Sequence, residues 1–134
     1  AQLERLGESI NLLKVSDALQ MVGNGLVTNE KTISENPALV QAMTQATVRS
    51  IQYTIEHPDE AFEISKKYVA NLASADQLVQ KQVLLNSIAL WKSDQPGFSS
   101  LQAWENMQSI LLKMGLLSTP LELEKVFTNE FIAQ

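Results

Sequence analysis

Two prolines constrain the fold of this chain more than any other residues. A proline cannot sit in a helix interior without removing a hydrogen bond and clashing with the preceding turn, yet it suits the first helical position. Pro37 follows Asn36, a capping residue, and Leu39, Val40, Met43, Ala46, Thr47, Ser50, Ile51, Thr54 and Ile55 then recur at three- and four-residue steps. The spacing predicts a long helix with one small, apolar face laid against a core. Pro58 ends that helix by pushing His57 out of the α region, and opens a second one with Asp59 and Glu60 in its first turn and Lys66 and Lys67 in its last.

The flanking sequence is read in the same way. Leu3 to Leu6 allows one helical turn closed by Gly7, and Ile10 to Val15 is a short run apolar on both sides, which predicts a strand wanting neighbours on both faces. Gly23-Asn24-Gly25 is turn chemistry, with a second short strand expected at Leu26 to Thr28. A phosphate-cradling loop needs longer glycine spacing and a following Lys-Ser/Thr, both absent here. Ser74 with Gln77 predicts a capped third helix carrying Leu78, Val79, Val83, Leu84, Ile88 and Trp91 inward. Pro96-Gly97 marks a loop, and Ser99 with Gln102 predicts a fourth helix ending near Gly115. Thr119, Pro120 and Glu122 predict a short fifth helix to about Val126. The expected fold is mainly α, about five helices plus two short strands, in a single unit over residues 1–134.

Composition narrows the function. Ten Lys and Arg against 15 Asp and Glu give a net charge of −5 with no basic patch, which argues against nucleic acid and anionic membrane as partners. With no Cys and one His, thiol chemistry is excluded and a zinc site disfavoured. His57 reads as a turn residue, and the pairs Asp59-Glu60 and Glu122 with Glu124 read as helix-start charges. No catalytic residue, metal ligand or cofactor site is therefore expected. The aromatic residues mostly fall on helix stripes and read as packing. Asp17, just after the Ile10 to Val15 run, is the one charged residue placed where ligands meet strand ends, or else a solvated loop residue.

The segments Asn24-Gly25-Leu26, Thr28-Asn29-Glu30, Asn36-Pro37, Pro58-Asp59-Glu60-Ala61, Leu90-Trp91, Trp104-Glu105 and Phe127-Thr128-Asn129-Glu130-Phe131 stand in an order that resembles the C-terminal third of substrate-binding proteins of ABC importers. The group it looks like binds thiamine-pyrimidine precursors and is near the nitrate, sulfonate and taurine binders. The resemblance implies a partial α/β type II periplasmic-binding-protein fold, a small-molecule solute, an ABC permease as partner, a periplasmic or extracytoplasmic membrane-associated location, and no catalysis. It also implies that most ligand contacts belong to the family's first two thirds, which this sequence does not contain. Only Asp17 and Asn24 are carried over as cleft-proximal. Strands without sheet partners would expose an edge, so a homo-oligomer through unpaired strands is expected. The competing expectation is a helical module that docks a partner protein through an apolar groove.

Overall fold

The computed structural model describes residues 3, 7, 9–11, 13–15 and 18–132. Its helices are α1 (Glu30–Glu35), α2 (Pro37–Glu56), α3 (Pro58–Ser65), α4 (Gln77–Trp91) and α5 (Leu101–Lys113), followed by a 3-10 turn at Leu123–Lys125. Two compact units can be told apart. One holds Ala1–Leu12 and Ala46–Pro96, the other Leu13–Gln45 and Gly97–Gln134.

In the first unit, Pro58 occupies the start of α3, with Asp59 and Glu60 in the first turn. The helix stops at Ser65, so Lys66 is its cap and Lys67 lies beyond it. Lys66 instead reaches back, its Nζ 2.6 Å from Glu63 Oε1 and 5.0 Å from the centre of the Phe62 ring. Helix α3 packs on α4, and the buried side chains Ala61, Phe62, Val79 and Ile88 lie on these two helices. An ion pair between Asp59 and Lys81 joins them at the surface, where such pairs add little stability.

The start of α4 corrects the expected cap. Asp76, not Ser74, precedes the helix, and its Oδ1 accepts from Leu78 N at 3.1 Å and Val79 N at 3.3 Å. A charged carboxylate facing unpaired N–H groups outcompetes a hydroxyl two residues earlier, and Ser74 Oγ donates to Asn71 O instead. Asn71 itself takes φ 61°, a left-handed turn that asparagine tolerates. Asp76→Ala is expected to cost about 1 kcal/mol in urea denaturation and Ser74→Ala clearly less. The reverse order would restore Ser74 as the cap.

In the second unit, Asn29 caps α1 through its Oδ1, which accepts from Thr32 N at 2.8 Å. The Asn36 carbonyl then accepts from Leu39 N and Val40 N where α2 begins. Ser100 caps α5, one residue after the expected Ser99. Gly115 closes α5 at φ 70°, a conformation that favours glycine. In place of a fifth helix, the segment after Pro120 makes a 3-10 turn, which packs on α5.

No strand occurs among the described residues, which overturns both expected strands and the α/β reading built on them. Of the first expected strand, Ile10, Asn11, Leu13 and Lys14 are irregular, and the Val15 carbonyl accepts from Ala18 N and Leu19 N, each at 3.0 Å. Leu26 to Thr28 is also irregular. A short apolar run becomes a strand only beside a partner that takes its N–H and C=O groups, and periodicity cannot supply one. With the strands goes the edge on which the expected homo-oligomer rested.

Candidate functional site

Of the two residues singled out in sequence as cleft-proximal, Asp17 lies outside the described residues. Asn24 is exposed, within an irregular run from Leu19 to Asn29. A side chain at Gly23 or Gly25 would meet nothing within 4 Å, so these glycines serve no close approach of backbone to another group.

That run is tied down from α5. Asn106 Nδ2 donates to the Gln20 carbonyl at 2.9 Å, and Asn106 Oδ1 accepts from Gln102 Nε2 at 3.2 Å. The same unit uses two more amides in this way. Gln108 Oε1 accepts from Leu121 N at 2.6 Å, while Asn129 Oδ1 accepts from Ser99 N and Asn129 Nδ2 donates to Ser99 O, both at 2.9 Å. Beside them Trp104 stacks on Phe127, ring centroids 5.2 Å apart and planes 10° from parallel. The residues shared with the resembled family at Trp104, Phe127 and Asn129 thus make joints within this unit.

In the first unit, the face of α2 expected to be buried has no buried residue. Ala46, Thr47, Ser50, Ile51 and Thr54 instead line an open groove of about 350 Å³ with Trp91. Ser50 Oγ donates to Ala46 O at 2.8 Å and Thr54 Oγ1 to Ser50 O at 2.7 Å. Both hydroxyls are occupied by their own helix, so the groove offers mainly apolar surface.

His57 sits at the α2–α3 corner with its ring 4.6 Å from that of Tyr53 and Nε2 4.0 Å from Glu56 Oε2. The Tyr53 hydroxyl is held above its usual pKa of 10, chiefly by the Glu60 carboxylate acting as acceptor for its proton, then by desolvation and by the negative charge of Glu60. Because the folded form holds the proton more tightly than the unfolded one, this contribution is complete below pH 10 and is lost as pH rises through the folded value. An alkaline tyrosinate titration should show one transition above the ordinary range that returns to it in Glu60→Gln. An unchanged titration would discard the Tyr53–Glu60 bond. No group of three or more metal-ligating acidic or His side chains occurs among the described residues.

Sequence reasoning gave no role to Asn106, placed Gln108 only along one side of its helix, and read Gln102 as the capping partner of Ser99, whereas its amide donates to Asn106. Amides on helices look like ordinary surface residues until the fold brings distant backbone to them. Only Asn129, inside Phe127-Thr128-Asn129-Glu130-Phe131, carried a signal.

The family described as NMT1/THI5 like matches residues 1–61. Over 136 aligned residues, 98% of this chain, the sequence is 32% identical to the riboflavin-binding protein RibY of Chloroflexus aurantiacus. The chain spans 39% of that relative's length. No solved structure matches it.

Proposed function

From the premise that this chain belongs to the NMT1/THI5-like family of substrate-binding proteins, we propose that it is part of an extracytoplasmic solute-binding protein that delivers a small heteroaromatic molecule to an ABC importer. Its work is binding, not catalysis. The observation that carries this reading is the 32% identity to a riboflavin-binding protein, held across 98% of the chain. The thiamine-pyrimidine precursors implied by the resemblance and the flavin named for the relative share a flat, nitrogen-containing ring with polar substituents. Asp17 and Asn24 are the residues assigned to the neighbourhood of that ring. The ring's main contacts are assigned to the remaining length of the protein. No described helix is long and apolar enough to cross a membrane.

The test is a titration of riboflavin against the full reading frame that carries this chain, followed by quenching of flavin fluorescence and by competition with hydroxymethyl-aminopyrimidine. Saturable quenching that the pyrimidine does not relieve assigns a flavin. Relief of quenching, or binding of the pyrimidine alone, assigns the thiamine-precursor class. Failure to bind either solute overturns the reading. The 134-residue chain by itself is expected to quench far less than the full frame at equal concentration.

A second reading, the helical interaction module, draws on apolar side chains left in water, among them Leu13 at 92% and Val27 at 95% exposure. The same surface is what the rest of a binding protein would cover. A full frame that adds nothing to this chain and still captures no solute would favour the module.

A further inference from the structure

The run from Leu19 to Asn29 has no regular secondary structure. Ala18 N and Leu19 N are held by the Val15 carbonyl, and regular structure resumes where Asn29 caps α1. Between those points the backbone needs an anchor from elsewhere if it is to keep one conformation, because a coil without such bonds samples many. The bond from Asn106 Nδ2 to the Gln20 carbonyl, 2.9 Å long and spanning 86 residues of sequence, supplies it. Leu19 and Val22, on either side, are half-buried, whereas Leu26 and Val27 farther along are exposed.

The geometry also fixes which way the Asn106 amide faces. Gln102, one turn earlier on α5, donates to Asn106 Oδ1 at 3.2 Å, so the oxygen is committed along the helix and the NH₂ group is aimed at Gln20. An amide whose two ends have different partners cannot flip without losing both bonds.

We propose that Asn106 is a positioning residue of the solute-binding segment: through Gln20 it sets the backbone that follows Asp17 and presents Asn24. The functional half of this proposal rests on the solute-binding reading above, whereas the anchoring half does not.

Two variants test it. Asn106→Ala removes the whole amide, and Asn106→Asp keeps the shape and the acceptor for Gln102 but loses the donor. In the 134-residue protein, the carbonyl ¹³C shift of Gln20 and amide exchange across Met21 to Gly25 report the anchor, and far-UV melting reports α5. In the full frame, the riboflavin or pyrimidine dissociation constant reports function. Both variants are expected to shift the Gln20 carbonyl and speed exchange in the segment with little change in melting. They should weaken solute binding about three- to tenfold, the range of one ordinary hydrogen bond. An unmoved Gln20 carbonyl in both variants overturns the proposal, as does a moved carbonyl with unchanged affinity. A full frame that binds neither solute while the carbonyl moves as expected overturns the solute-binding reading and upholds Asn106 as the anchor alone.

Discussion

Phe62→Ala is expected to cost about 3–5 kcal/mol, close to the lower end of what holds a whole domain together. Phe62 is 5% exposed and, with Ala61, Val79 and Ile88, is one of the few side chains of its unit that is buried at all. A core this small has little with which to refill a phenyl-sized void, so the cavity cost remains. The loss also strips the ring from beneath the Lys66 ammonium. Trp91 lies in the same unit and reports the transition by fluorescence in urea. Phe98→Ala is the control: that ring is 53% exposed and its removal should cost under about 1 kcal/mol. Equal losses for the two would show that Phe62 is not the residue on which the α3–α4 packing turns.

Trp104 supplies the second large effect. Its ring is half-buried and stacked on Phe127, and Trp104→Ala is expected to cost about 3 kcal/mol or more. The informative comparison is Trp104→Phe. The indole Nε1 is buried without a hydrogen-bond partner, so phenylalanine keeps much of the stack and removes an unpaired donor. It should lose no more than about 1.5 kcal/mol. If Trp104→Phe costs as much as Trp104→Ala, the indole nitrogen is bonded after all and the stack is not what holds the ring.

Much of the helical framework was legible because its signals are local. Pro37 and Pro58 open helices where a missing N–H does no harm, and Gly97 and Gly115 take the positive φ that their turns require. Local signals misplace whatever depends on a partner distant in sequence. Ile10 to Val15 has the composition of a strand, but none of its described residues stands in a ladder. The apolar face of α2 has helical spacing and yet borders an open groove, because spacing identifies a face without saying what covers it. The caps of α4 and α5 moved by one or two residues, a change settled by competition between neighbouring oxygens.

The candidate site was less legible than the helices. Asp17 and Asn24 came from resemblance and strand-end logic, and the strand beneath that logic is absent. Asn106, which the structure ties to the same segment, sits on a helix among other polar residues and gives no sign in sequence of reaching Gln20. By contrast, the residues that carried the resemblance now have physical tasks. Asn29 caps, Asp59 pairs with Lys81, Ala61 is buried, and Asn129 clamps Ser99. They mark how the framework is jointed, which is why they point to a family without pointing to a ligand.

Gln77 carries a further consequence, for which substitutions the chain can accept. Its Nε2 donates to the carbonyls of Leu72, Ala73 and Ala75 at 2.7, 3.3 and 3.0 Å. Glutamate differs from glutamine there by one atom, and at most surface sites the exchange is harmless. At this one it would set a carboxylate oxygen against three carbonyl oxygens and open the approach to α4. A single-base codon change to Glu and slow deamidation of the finished protein would thus do the same damage, each replacing the donor by an acceptor.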